Sequence, residues 1–367
     1  MAQSTSENSD HQWMSRALEL ARQADYRTSP NPMVGAVVLD GDGQLAGEGY
    51  HQQAGRPHAE QVALEAAGER ARGGTVYVTL EPCTHAHRNP SCAQALIDCG
   101  VRRVVIAIED PDERVRGSGI KALKEAGVET IVDVEGEGAR SLNEFYVKHR
   151  LTGMPFVSAK FAMSLDGKIA TTSGESRWIT GVEARAEGHR LRHQHDAILV
   201  GVDTVIADDP ELTTRLEGAE GGRQPLRVIL DSQLRTPRAA NVVGPNTLIA
   251  TTQEGELGEA ETMQFSATPE GRVELAPLLE ELGRRGVLSL LVEGGSEVHA
   301  SFFNEGLVDK VHAFVAPMVI GGRTAPGPVG GPGIEALEQA ILLRELATTR
   351  LGRDLMITAY VHVHRDR

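Results

Sequence analysis

Residues 75–106 read TVYVTLEPCTHAHRNPSCAQALIDCGVRRVVI. The run TVYVTL predicts a strand, Cys92–Cys99 a short helix stopped by Gly100, and RRVVIAI a second strand. Between the first strand and the helix lies a polar loop that contains Cys83 and leads to Cys92, two of only three cysteines in the chain. Working outward, the alternation continues. WMSRALELARQA sets Trp13, Ala17, Leu18 and Ala21 on one side of a helix, and VGAVVLD, a GDG turn and the run up to His51 predict a strand pair. Helices are expected over 58–71, near 120–126 and over 137–150, with the strand VETIVD among them. Alternating elements of this kind imply an α/β layered sheet.

LTGMP resembles a boundary, and a second alternation starts at FVSAKFAMSL. It continues through the strands DAILVGV, PLRVILD, NTLIATT, VLSLLVE and KVHAFVAPMVI. Stretches near 217–223 and 254–260, and the Gly- and Pro-dense 325–333, predict loops. The expected organisation is a loose tail over 1–11, one domain over 12–150 and a second over 151–367, in line with a length of 367 residues.

The bulk numbers exclude several classes. No apolar run reaches a membrane span, and the polar N-terminus lacks the apolar core of a secretory signal. Three cysteines cannot build a secreted disulfide framework, so a cytoplasmic location is expected. The net charge is −14, and residues 1–150 already carry 22 Asp and Glu against 16 Lys and Arg. A nucleic-acid grip needs the opposite balance. An anionic ligand must then be held by a local cluster of donors, which favours a small phosphorylated molecule.

PHAE at 57–60 places His58 and Glu60 at the start of a predicted helix. His58, Cys83 and Cys92 together supply three zinc ligands, leaving a fourth position open for water. Zinc lowers the pKa of such a water to about 7, and Glu60 is placed to carry its proton. An isolated H-x-E arises often by chance, and two cysteines in a cytosolic chain are commonly buried thiols. The ordered combination of helix, strand, EPC and helix points instead to a catalytic zinc, close to the deaminase signature H-x-E…P-C-x-x-C but with a longer inter-cysteine loop. His85 and His87 are rival imidazoles, but their polar loop beside Arg88 and Asn89 better suits an anion. Cys99 lies on an apolar helix face and is expected in the core.

In the second half, VLSLLVEGGSEVHASFF runs a buried strand into Gly294–Gly295 and then a helix, whose first N–H groups suit a pyrophosphate. A tight strand–helix turn explains the same residues equally well. No full G-x-G-x-x-G follows a strand, so a conventional Rossmann domain is not supported. Lys160, in a strand, reads by itself as an edge or surface lysine.

TSPNPMVGAVV, GEGYH…PHAEQVAL, VYVTLEPCTH…PSCAQAL and GIKALKEAGV resemble the deaminase half of the bifunctional deaminase/reductase family of riboflavin biosynthesis. AKFAMSLDGKIA, SGESRWIT, DAILVGVDTVIADDPELTTR, ILDS and VEGGSEVHASF resemble its reductase half. The resemblance implies a cytidine-deaminase-like three-layer α/β/α domain followed by a dihydrofolate-reductase-like α/β domain. It implies zinc on His58, Cys83 and Cys92, proton transfer by Glu60, pyrimidine contacts from Asn31 and His51, and phosphate contacts from His85 and Arg88. For the second half it implies NADPH lined by Met163, Trp178, Thr204, Asp208 and Ser232, with Gly295, Ser296, Glu297, Val298, His299, Ala300 and Ser301 under the pyrophosphate. Ser176, Arg192, Leu212, Arg215 and Glu293 would face the sugar phosphate of the substrate, with Lys160 a further candidate; Glu293 and Lys160 are also candidate proton donors. The implied partner is a small phosphorylated pyrimidine, with neither nucleic acid nor membrane, and the implied assembly a homodimer or higher homo-oligomer. Departures from the family pattern are His87 for a glycine, Asn89 for a threonine, Asp112 for an asparagine and Met163 at a position more often small.

Overall fold

The computed structural model describes residues 2–85, 91–216 and 223–362. The chain divides into two units, Met1–Gly153 and Met154–Arg367. In order, the first contains α1 (Ala2–Arg22), β1 (Gly35–Leu39), β2 (Leu45–Tyr50), α2 (Ala59–Ala67), β3 (Thr75–Val78), α3 (Cys92–Asp98), β4 (Arg103–Ile106), α4 (Ser118–Glu125), β5 (Glu129–Val132), α5 (Gly136–Leu142) and α6 (Glu144–Thr152).

The sheet runs β2-β1-β3-β4-β5. β1 is antiparallel to β2 and β3, whereas β3, β4 and β5 are parallel, because α3 and α4 serve as the crossovers that parallel pairing requires. Every residue of β1 is buried, so the sheet is covered on both faces. Gly35 looks toward Ala17 of α1, while Gly47, on the opposite face of the pleat, looks toward Ala63 of α2. A Cβ on Gly47 would lie 2.4 Å from the Ala63 carbonyl oxygen. Helix α2 therefore rests directly on the β2 backbone, which fixes the depth of its first turn and of Glu60.

Three expectations give way here. The segment expected as a tail is helical from Ala2, and Asp10 is buried, accepting hydrogen bonds from Tyr77 Oη at 2.8 Å and from Arg103 at 2.8 and 2.7 Å. This pairing anchors the first turns of α1, whose later turns dock by burying Met14, Ala17, Leu18 and Ala21. The helix expected over 137–150 is two helices, parted at Asn143, whose side chain is turned inward to bond the Met33 backbone. Cys99 caps α3 and is half-buried, outside the core in which it was expected.

The second unit contains β6 (Phe156–Ser164), α7 (Val182–Gln194), β7 (Ala197–Gly201), α8 (Val202–Asp208), β8 (Leu226–Leu230), β9 (Thr247–Thr251) and β10 (Glu261–Gln264). Then follow α9 (Leu275–Arg284), β11 (Ser289–Val292), α10 (Ser296–Asn304), β12 (Lys310–Ala316), β13 (Leu343–Leu351) and β14 (Asp354–Val361). The sheet order is β10-β9-β8-β7-β11-β6-β12-β14-β13, parallel from β10 to β12 and antiparallel over the last two strands. Leu275, Leu278, Leu279 and Leu282 recur at helical spacing on α9 and pack with Phe302 of α10 against Val157, Leu199, Val228 and Leu290. On other strand positions, Ile198, Val200 and Ile229 meet Val202 and Val205 of α8, and Leu291 and Phe314 meet Ala184 and Leu191 of α7. β6 lies inside the sheet, so Lys160 is not on an edge strand. No helix among the described residues is long and apolar enough to cross a membrane.

His195, at the C-terminal end of α7, and His312, on β12, are both buried. His195 Nδ1 donates to the Leu191 carbonyl at 2.7 Å, and Ser158 Oγ lies 2.9 Å from its Nε2. Burial pushes His195 down to about 4 and His312 to about 3. Both are neutral when folded but take up a proton near pH 6.5 when unfolded, so stability holds above that pH and falls as pH drops toward 4. The His195 share of that loss is about 3 kcal/mol. Thermal melts between pH 7.5 and 4.5 should show the decline, with a shallower slope in His195→Gln; parallel slopes would clear His195 of responsibility.

Candidate active sites

Three segments bring the soft donors together. His58 immediately precedes α2, Cys83 follows β3 through the EPC turn, and Cys92 opens α3. His58 Nδ1 lies 3.3 Å from Cys92 Sγ and 3.7 Å from Cys83 Sγ, and the three ligand atoms fall within 4.8 Å of one another. Tetrahedral zinc with ordinary bond lengths needs edges of about 3.6–3.8 Å between such atoms, so the donor set fits the metal. The Cys83 carbonyl accepts from Ala93 N at 3.1 Å, tying Cys83 to the helix that starts at Cys92. Hydrogen bonding from Cys92 holds Cys83 down to about 4, and the same contact, with burial, pushes Cys92 up.

A cavity of about 860 Å3 opens onto this centre and is lined by Asn31, His51, His58, Glu60, Cys83 and His85, among others. Glu60 is buried and its desolvation raises the carboxyl to about 7. His51 Nδ1 donates to the Pro57 carbonyl at 3.0 Å, leaving Nε2 as the acceptor 3.4 Å from Asn31 Nδ2. Burial lowers the His51 pKa, which keeps the ring neutral. Arg88, expected at the phosphate, and His87 and Asn89 beside it lie outside the described residues.

Two buried residues absent from the sequence reading hold the walls in place. Glu81 accepts from the backbone N–H groups of Asp110, Gly117, Gly119 and Ile120 at 2.9–3.2 Å, binding the EPC turn to the start of α4. A Cβ on Gly119 would lie 2.0 Å from the Pro82 carbonyl oxygen, so this approach admits only glycine. Asn143 accepts from Met33 N at 2.8 Å and donates to Met33 O at 2.9 Å, fixing the loop that carries Asn31. The EPC triplet and the helix-breaking asparagine were both visible in the sequence, but their partners lie 29 to 110 positions away.

In the second unit the named residues gather at the C-terminal ends of the central strands, where ligands bind in open α/β sheets. Glu293 follows β11 with a largely buried side chain, paired with Arg192 at 2.7 and 2.8 Å and with Lys160 at 3.5 Å. Despite its burial, those two cations hold it well below the usual carboxylate range. Glu293 is thus held as a carboxylate by its two cationic neighbours. Arg192 also donates to Thr213 O at 3.2 Å, so its fork is largely engaged within the protein. Arg215 is exposed and meets Glu211 at 3.0 Å, with Leu212 buried beside it at φ +52°. Ser176 Oγ donates to Asp208 at 3.4 Å, and Trp178 is exposed under the Arg185 guanidinium, 4.5 Å from its ring centroid.

Gly294 has φ +110° and Gly295 is the N-cap of α10. The first intrahelical bond runs from His299 N to Gly295 O, so the N–H groups of Ser296, Glu297 and Val298 have no acceptor within the helix. That row of donors fits a dinucleotide pyrophosphate. His299 and Ala300 are buried, the His299 ring facing the carbonyls of Pro328 and Val292, and Ser301 Oγ donates back to Glu297 O. Thr204 approaches Gly295, Met163 is half-buried on β6, and Ser232 Oγ accepts from Val273 N at 3.1 Å.

Comparison with known proteins agrees with both halves. The family model for the cytidine and deoxycytidylate deaminase zinc-binding region matches residues 7–108, and that for the RibD C-terminal domain matches residues 155–357. The riboflavin biosynthesis protein RibD of Actinobacillus pleuropneumoniae is 41% identical over 359 residues, covering 95% of this chain and 94% of the relative. That of Escherichia coli is 41% identical over 362 residues, covering 95% and 98%. Among solved structures, Acinetobacter baumannii RibD superposes with a TM-score of 0.90 at 38% identity, covering 97% of this chain and 100% of that one. A Thermotoga maritima protein described as diaminohydroxyphosphoribosylaminopyrimidine deaminase/5-amino-6-(5-phosphoribosylamino)uracil reductase gives 0.86 at 33% identity, covering 97% and 99%.

Glu81→Gln turns an amide N–H2 toward backbone donors and should destabilise the first unit by about 2–4 kcal/mol. Urea melts measure this. Unchanged melts would show that the carboxylate clamp is dispensable.

Proposed function

The chain belongs to the RibD family, and on that premise we propose how its residues divide the work of a bifunctional deaminase and reductase of riboflavin biosynthesis. Deamination is assigned to Met1–Gly153 and reduction to Met154–Arg367. The observation that carries the first assignment is the convergence of His58, Cys83 and Cys92 at the floor of a cavity lined by Glu60. These three side chains would hold zinc, which when bound makes a water acidic near neutral pH. The substrate is a small phosphorylated pyrimidine, read as 2,5-diamino-6-ribosylamino-4(3H)-pyrimidinone 5′-phosphate. Its exocyclic amine is exchanged for oxygen and leaves as ammonia.

Glu60 takes one proton from the attacking water and delivers it to the ring nitrogen, then carries the second, from the hydroxyl of the tetrahedral adduct, to the departing amine, which leaves as ammonia. A carboxyl raised to about 7 serves both as acceptor and as donor at neutral pH. Asn31 and neutral His51 present an amide and a ring acceptor to the pyrimidine, and His85 and Arg88 approach its phosphate.

For the second reaction NADPH supplies the reducing equivalents that convert the ribosyl group of 5-amino-6-(5-phosphoribosylamino)uracil to ribityl. Ser296, Glu297 and Val298 offer backbone N–H groups to the cofactor, which Met163, Trp178, Thr204, Asp208 and Ser232 line. With Glu293 held as carboxylate, Lys160 is the proton donor near the opening sugar, and Arg192 orients Glu293. Arg215 is the guanidinium open to the substrate phosphate, with Ser176 and Leu212 nearby.

The enzyme is placed in the cytoplasm, where its thiols stay reduced. A homodimer is favoured by β13, an edge strand exposed over eight of its nine residues and presenting Leu343 and Leu346. Sedimentation should give a dimer that Leu343→Asp/Leu346→Asp converts to monomer; a monomeric wild type would overturn this.

Glu60→Gln should keep its zinc yet lower deamination by about 10²–10⁴-fold. Reduction of pre-deaminated substrate should be intact. Metal analysis and the two half-reactions, assayed separately, check it; joint loss of both activities would contradict the division of labour.

A further inference from the structure

Among the described residues, three guanidinium side chains line the deaminase cavity: Arg56, Arg114 and Arg150. Arg114 is committed to Asp112, its Nε 2.9 Å from Oδ1 and its Nη2 2.5 Å from Oδ2. Arg56 is exposed at the rim. Arg150 stands apart. It lies in the last turns of α6 with its guanidinium 4.9 Å from the centroid of the Tyr146 ring, one turn earlier. Its Nε is buried and has no hydrogen-bond partner among the described residues.

The Nε is enclosed, whereas the side chain as a whole lines the cavity wall, so an anion that arrives there meets the rest of the guanidinium fork, for which no carboxylate partner is present among the described residues. The carboxylates of the cavity are otherwise engaged. Asp112 has Arg114, Asp110 accepts from Asp112 N at 2.9 Å and from Tyr146 Oη at 3.2 Å, and Glu81 holds its four backbone donors. Glu60 stands at the metal end. Stacking on Tyr146 fixes the guanidinium plane, which lowers the entropy cost of a forked contact to phosphate oxygens.

We propose that Arg150 grips the phosphate of the deaminase substrate and sets the preference of this site for phosphorylated over dephosphorylated pyrimidine. The assignment rests on reading the cavity as the deaminase site. It also explains how Asp112 is tolerated beside an anion: Arg114 neutralises it and Arg150 adds the missing positive charge.

The test compares full-length, zinc-loaded wild type with Arg150→Met, measuring ammonia release from the phosphorylated substrate and from its riboside. The variant should lose about 10–100-fold in kcat/KM on the phosphorylated substrate, mostly through KM, and its preference over the riboside should shrink by a similar factor. Arg150→Lys should restore part of it. Zinc content and the rate of the reductase half-reaction report folding. An unchanged preference, or an equal loss on both substrates, overturns the proposal. Wild-type protein that releases ammonia from neither substrate would count against the deaminase reading. In that case calorimetry with inorganic phosphate still decides on Arg150: one binding event should vanish in Arg150→Met, and identical isotherms reject it.

Discussion

Two cysteine sulfurs and an imidazole nitrogen held within 4.8 Å form an arrangement that has little reason to exist without a cation. Crowded, partly desolvated donors are costly unless something positive pairs with them. The rest of the first unit can be understood as scaffolding against that cost. Gly47 lets α2 sit on β2 so that His58 arrives at the correct depth, and the Cys83 carbonyl is fastened to the start of α3. Glu81 then locks the connecting turn to α4 with four backbone bonds. None of these contacts is itself a metal donor, but each removes a way for the three donors to drift apart.

The two units handle a buried glutamate in opposite ways. Glu60 is desolvated with the His58 ring only partly offsetting the effect, and its carboxyl rises to about 7, the range in which a group can both accept and release a proton. Glu293 is also buried, yet Arg192 and Lys160 keep it ionised. One residue type therefore titrates near neutral pH in one site and stays a fixed negative charge in the other. Environment makes the distinction.

Charge at the mouth of the deaminase cavity follows the same logic. A carboxylate at Asp112 would repel an anionic substrate if it stood alone. Arg114 forms a two-pronged pair with it, which cancels its field at close range, and Arg150 remains with an unused donor. A substitution that reads as damaging along the chain becomes, in three dimensions, part of a rearranged set of charges.

Spacing along the chain was enough to single out His58, Cys83 and Cys92 as a donor set with Glu60 beside it, the β/α alternation and the glycine pair before α10, because each depends on residue type and short-range periodicity. The clamp residues Glu81 and Asn143, the break between α5 and α6 and the anchoring of Asp10 could not be read there, since their partners are remote in sequence. Nor could the ionisation of Glu60 and Glu293, or the pairing of Asp112 with Arg114. Those depend on desolvation and through-space charge, which exist only once the chain has folded and excluded water from particular places.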